Sequence, residues 1–422
     1  MNKKKWLKVV LLVVILGVAI YGSYAMFLEN KTYIKIEDDF DKLGNAYISS
    51  MLLKSYEVEQ DIKYEIVSMK EQAETDLSYA PSNEDVKKFF EGFKVNAKTT
   101  KAIDGKYDII LDVFIDNTSF IKLDLYLDDD MLVLNMPGVY EKKMYIKYED
   151  INKILKKIDP TMTEEINIED YKKLFDYQNL GKLKEIDGMS YYKLIKSKLK
   201  DGFASKGKAD IKITENGKEK VYNCDNFELI LKQKQMLEVF KELANKLTSD
   251  KKVKEFAKGK IDEIYDILIK TNDYKLLGMT QEDIKKQKED FNKNFDKDYA
   301  DFVKGFNEEL QNSLTDTNQM STDVNVKYDF AVDEDYNIRK VNAEQTTKDD
   351  DITLKMLMAG TIASPNKNIK IVKPDLKDAV NLAELKNEEY QNIATQIGMN
   401  LASKSEKSPS IQKFVMPFIM GQ

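Results

Sequence analysis

The chain of 422 residues contains no histidine, a single cysteine (Cys224) and a single arginine (Arg339). Each shortage closes off chemistry. Without histidine there is no Ser-His-Asp or Cys-His nucleophile pair, no histidine-ligated zinc and no imidazole base near neutral pH. One thiol can neither close an intramolecular disulfide nor build a thiolate cluster, so stability has to come from packing. Cys224 stands in the strand-like stretch VYNCDNFELIL and reads as a small core residue.

Other signatures are missing as well. The sequence has no phosphate-cradling glycine loop and no dinucleotide fingerprint. Ser197 and Lys200 match Ser-x-x-Lys, a chance spacing in so lysine-rich a chain, and no Lys-Thr-Gly companion exists. The runs Asp128 to Asp130 and Asp349 to Asp351 lack the spaced pattern, glycine and terminal glutamate of a calcium loop and read as solvated turns. Among 73 acidic residues, suggestive carboxylate pairs arise by accident. The net charge of −7 offers no basic field to nucleic acid. The expectation is a non-enzyme with no catalytic residue, no metal and no cofactor.

What is present starts with one uncharged run, Val9 to Leu28 (VVLLVVILGVAIYGSYAMFL). At about 1.5 Å per residue these twenty residues cover the roughly 30 Å of a bilayer's hydrocarbon core. Lys3, Lys4, Lys5 and Lys8 precede the run, whereas Glu29, Glu37, Asp38 and Asp39 follow it with only Lys31 and Lys35. The lysine cluster holds its flank in the cytoplasm. The expectation is a cytoplasmic stub (1–8), a transmembrane anchor (9–28) and a single-pass protein of the cell membrane with its bulk outside. The rival reading is a signal peptide cleaved after Ala25.

Beyond the anchor, periodicity alternates between helix and strand. Phe40, Leu43, Tyr47 and Met51 have helical spacing; Tyr56 to Val67 reads as extended, and Glu84 to Phe90 as a short helix. After the Asp104-Gly105 turn come four strands of an antiparallel meander, with Ile109, Leu111, Val113, Leu123, Leu125, Leu132 and Leu134 on one side and Asp108, Asp112 and Asp124 on the other. Ile151, Ile154, Leu155 and Ile158 make a helical face, and Tyr171 to Leu194 reads as helix broken at Gly181 and Gly188. Asn216-Gly217 signals a second hairpin. A helical block follows from 235 to 314, whose Phe291, Phe295, Phe302, Phe306 and Leu310 read as packing. Val324 to Val332 alternates again, and a last helix is expected over Leu382 to Leu401.

The fold class is therefore α+β: a transmembrane helix, then curved antiparallel half-barrel-like meanders covered by helices, in two lobes. The first lobe spans 33–200 and the second 208–401 with its helical insert at 235–314, parted by the glycine- and lysine-rich patch Asp201 to Lys208. An apolar tail, 402–422, carries Ile411, Phe414, Val415, Phe418 and Ile419 on one helical face, read as a final core piece ahead of a membrane or partner contact.

Together with the single span, the stretches DLYLDDDMLVLNMPGVYEKKMYIKYEDI and VKPDLKDAVNLAEL resemble uncharacterised clostridial-type membrane-anchored extracytoplasmic proteins. The lysine, asparagine and isoleucine bias is similar to that of low-GC Gram-positive proteins. A helix followed by a curved meander also looks like the lipoprotein-carrier half-barrel folds that cradle lipid, although the chain lacks a lipobox cysteine and carries a long helical insert. That likeness implies a lipid or other amphiphile in an apolar cavity, with the seven meander residues named above as its lining. The alternative is a cell-envelope scaffold that uses the helical block and the tail to hold a protein partner.

Overall fold

Alternating residues from three distant parts of the chain build one twelve-stranded sheet in the computed structural model, which describes residues 34–70, 82–158, 165, 170–171, 187–215, 217–319, 323–349, 351–406 and 408–415. The expected anchor 9–28, the cleavage point after Ala25 and the tail residues 416–422 lie outside the described residues. No described helix is long and apolar enough to cross a membrane.

The strands are β1 (Tyr56–Met69), β2 (Lys94–Lys101), β3 (Tyr107–Ile115), β4 (Thr118–Leu127), β5 (Met131–Met136), β6 (Tyr140–Lys147), β7 (Phe203–Glu215), β8 (Lys218–Lys232), β9 (Asp323–Val332), β10 (Ile338–Lys348), β11 (Ile352–Ala363) and β12 (Val380–Asn381). Their order is β12-β6-β5-β4-β3-β2-β1-β11-β10-β9-β8-β7, in a curved sheet that does not close. All pairings are antiparallel except the short parallel one between β12 and β6. Two-residue turns suffice because antiparallel neighbours need no crossover. Asp116 and Asn117, with φ of 51° and 60°, supply the doubly left-handed turn between β3 and β4 that matches strand twist.

Eight helices are described: α1 (Asp39–Met51), α2 (Asn83–Gly92), α3 (Ile151–Ile158), α4 (Gly188–Leu199), α5 (Gln233–Ser249), α6 (Lys251–Thr271), α7 (Gln281–Gln319) and α8 (Asn387–Ser405). The chain divides into two compact units. A helical unit comprises the described parts of Met1–Leu52, Leu155–Asp201 and Lys234–Met320, and a sheet unit those of Leu53–Ile154, Gly202–Gln233 and Ser321–Gln422. The three segments of the sheet unit contribute strands to one sheet.

In the helical unit, Ala257, Ile261, Tyr265 and Leu268 of α6 pack with Ile284, Phe291, Phe295, Tyr299 and Phe302 of α7, all buried. The phenylalanine stripe is thus packing; the side chain of Leu310 lies outside the described set. The start of the body is tied down too: the Asn45 side chain accepts from Ile34 N at 2.7 Å and donates to Ile34 O at 3.0 Å. Asp41 takes Lys196 and the Tyr192 hydroxyl at 2.6 Å each. Burial alone would raise the Asp41 carboxyl, but these donors hold it at about 2.

Several expectations change. Phe40 and Leu43 are buried, but Tyr47 and Met51 are exposed, and the buried face of α1 continues through Ala46 and Ile48 instead. Gly188 is the first residue of α4, with Asp187 capping it; the expected break at Gly181 lies outside the described residues. The patch Asp201 to Lys208 is mostly strand: β7 bulges between Ser205 and Lys208, where Gly207 takes φ of +81°. The helical block is three helices, and the last helix is Asn387–Ser405, because Val380 and Asn381 pair with β6 and Asn381 accepts from Ala383 N. Strand β11, unassigned from the sequence, pairs with β1 and β10 and makes the sheet continuous.

Candidate functional site

Cross-strand register places all seven expected lining residues on one face of three adjacent strands. Ile109 lies opposite Leu125, and Leu125 opposite Leu134; Leu111 faces Leu123, Val113 faces Ile121 and Leu127 faces Leu132. The face extends beyond β3 through Val95 of β2 and Val58 and Ile62 of β1 to Met358 and Ile362 of β11. None of these side chains is buried and none is fully exposed. A covered core would leave them no solvent contact, so the aliphatic surface is partly open.

One end of the face is capped. Ile115, Phe120 and Ile411 are buried together, with Phe89 of α2, Phe93 just past its end, Ile121 and Leu401 of α8 around them. Phe93 meets Tyr64 edge-on at 5.7 Å, and Phe414 stacks on Phe89 at 4.8 Å. The Asp116 carboxylate accepts from Ser408 Oγ, from Ser410 N at 3.2 Å and from Ser410 Oγ at 2.8 Å, while Lys413 pairs with Asp85. The described part of the tail, 408–415, is therefore a docked core piece.

The other end differs. Tyr56 of β1, Lys101 of β2, Tyr107 of β3, Leu127 of β4 and Leu132 of β5 form one cross-strand row on the same face. The Lys101 ammonium lies 5.9 Å from the Tyr56 ring centre and 5.7 Å from that of Tyr107, and donates to Leu53 O at 3.3 Å. Burial, and then the neighbouring Tyr107, raise the Tyr56 phenol above its usual range.

The opposite face carries the charged side chains Asp108, Asp112, Lys122 and Asp124, and the segment 364–380 crosses part of it. There Tyr126, Met131 and Val133 are buried beneath Ile371 and Leu376, so β5 is apolar on both faces and its more deeply buried side is not the one expected. Lys373 pairs with Asp128 at 3.0 Å. Asp128 also accepts from the Tyr126 hydroxyl and from the N–H groups of Asp130 and Met131, which makes the triple-aspartate run a hydrogen-bonded turn.

A second charged cluster is fully buried. Arg339 gives Nε to Asp333 at 2.7 Å and Nη1 to Glu215 at 3.2 Å, with its guanidinium 3.8 Å from the centre of the Tyr222 ring. Glu215 also accepts from Lys220 at 2.6 Å and Ser364 N at 2.8 Å. Burial works against the Glu215 charge, yet those donors hold its carboxyl at about 2. The cluster ties the β7–β8 turn to the β9–β10 turn and the end of β11 as a structural clasp.

The remaining sequence candidates do not assemble. Ser197 Oγ donates to Leu194 O and Lys200 is held by Asp38 at 2.6 Å, so the two do not meet. Cys224 is buried, and burial pushes its thiol up to about 11. Among the described residues no group of carboxylate and thiol side chains is arranged to hold a metal ion. An open groove of about 410 Å³ in the helical unit, lined by Ile269, Lys285, Lys288, Glu289 and Asn292, is mostly charged, with Lys288 paired to Asp266 at 2.6 Å.

No protein-family model, curated protein or solved structure matches the chain. The site is accordingly read from its own geometry. The residues that sequence reasoning missed are Val58, Ile62, Val95, Met358 and Lys101. The strict alternation of Tyr56, Val58, Ile62 and Tyr64 with Glu57, Glu59, Asp61 and Lys63 was the signal that would have assigned β1 to the same face.

Proposed function

We propose that this chain is a membrane-anchored extracytoplasmic binding protein that holds an amphiphile against the apolar face of its curved sheet. The observation that carries the reading is the incomplete burial of Ile109, Leu111, Val113, Leu123, Leu125, Leu132 and Leu134 on adjacent strands. At about 25 cal/mol per Å² of apolar surface removed from water, a face of this kind left open is a standing driving force for an apolar guest. The likeness to lipid-cradling half-barrels supports the same reading, and the uncharged run Val9 to Leu28 supports the membrane address. The test is native mass spectrometry and lipid extraction of full-length protein purified from its own envelope. A co-purifying amphiphile is expected at near-stoichiometric amount; its absence, with the apolar face intact, overturns the reading.

The second reading is an envelope scaffold, favoured by the exposed Tyr47, Met51 and Phe240 of the helical unit. In-cell cross-linking followed by pull-down tests it. A stoichiometric protein partner with no bound amphiphile supports the scaffold.

A further inference from the structure

We infer that the amphiphile carries an anionic head group and that Lys101 receives it; this rests on the binding reading above. Through its cross-strand rows from Lys101 and Tyr107 to Val95 and Val113, the apolar face presents a single charged side chain, that of Lys101. Lysine is not needed there for folding: a strand's apolar face is normally completed by another aliphatic residue. Nor is its charge neutralised, for Lys101 makes no ion pair with any carboxylate among the described residues and has only the Leu53 carbonyl and the two tyrosine rings beside it. The acidic side chains of β1 and β3 lie on the other face, and β2 has none; Asp108 sits opposite Thr100, not Lys101.

The dimensions fit. From Tyr107 to Ile115, β3 runs for eight steps, about 27 Å at the rise of an antiparallel strand. A single acyl chain reaches about half of the roughly 30 Å hydrocarbon core of a bilayer. A chain whose head lies at Lys101 therefore runs along Ile109, Leu125, Leu111 and Leu123 and ends before the aromatic cap of Phe93 and Phe120. The rings of Tyr56 and Tyr107 flank the ammonium, and a phenol hydroxyl can donate to a carboxylate or phosphate oxygen bound beside it. Both heads present the same chemistry, an anionic oxygen on an aliphatic chain.

The experiment uses full-length protein in vesicles of neutral lipid with diazirine-bearing probes of one chain length: a hexadecanoate, a hexadecyl phosphate and hexadecanol. Labelled peptides are read by mass spectrometry. The expected result is labelling of the peptides holding Leu111 and Leu123 by all three, with an anionic probe favoured about tenfold over the alcohol, as one charge-assisted hydrogen bond contributes. Lys101→Met should abolish that preference while keeping the alcohol signal, Lys101→Glu should reverse it, and Lys101→Arg should restore it. The stronger of the two anionic probes names the head. Equal labelling by anion and alcohol in the unaltered protein, or a preference that survives Lys101→Met, overturns the head-group assignment and leaves the apolar site standing. Failure of every probe to label those peptides overturns the binding reading itself.

Discussion

Two stretches of the same sheet face behave differently. On β8, β9 and β10, Phe227, Leu229, Val326, Phe330 and Ala343 are buried, with Phe227 only 1% exposed. On β3, β4 and β5, side chains of the same character on the same face stay half-open. The register runs unbroken from one to the other through β2, β1 and β11, so neither alternation nor pairing accounts for the contrast. Period-two hydrophobicity records which way a residue points; how much of it is covered depends on partners outside the strand. One stretch is core in the ordinary sense, and the other keeps partial contact with water.

Substitutions can break this comparison, and the largest expected effect lies in the closed stretch. Phe227→Ala should cost about 3 to 5 kcal/mol, the usual range for emptying a fully buried aromatic site, read by urea denaturation of the full chain. Arg339→Lys comes next, at about 2 kcal/mol, because an ammonium cannot serve Asp333 and Glu215 while stacking on Tyr222. A loss below about 0.5 kcal/mol would show that the clasp does not set the sheet's curled end.

Acid should find the same clasp. The Glu215 carboxyl is held at about 2 against an ordinary 4.5, so its contribution is complete above pH 4.5 and falls away as pH drops towards 2. Glu215→Gln should flatten that part of the stability profile, whereas an unchanged profile would refute the assignment. The smallest effect belongs to the open stretch: Leu111→Ala and Leu123→Ala should each cost about 1 to 1.5 kcal/mol, well below Phe227→Ala, since part of their surface stays in water in the folded chain. The same two substitutions should lower amphiphile retention, measured by lipid extraction. If they destabilise as much as Phe227→Ala, the two stretches are alike and the contrast fails.

Much of the architecture could be read from spacing. The meander β3 to β6, the second hairpin, the aromatic packing of α7 and the grouping of the seven aliphatic residues all follow from local periodicity. Strand β11 escaped because Leu357 and Ala359 break the alternation of Leu354, Met356 and Met358 with polar neighbours such as Lys355, and Gly360 follows. The role of Lys101 was equally hidden: in KVNAKTTK nothing distinguishes it from Lys94 and Lys98 until register sets it against Tyr56 and Tyr107. Long-range pairing is what short windows cannot carry.

The position of β11 has a kinetic corollary. Val58 lies opposite Ile362, a separation of 362 − 58 = 304 residues. Until that late segment emerges, β1 stands as a bare edge of the early hairpins, able to zip onto any neighbouring chain. Its outward Glu57, Glu59, Asp61, Lys63 and Glu65 act as gatekeepers over that interval, repelling unwanted strands while synthesis is completed.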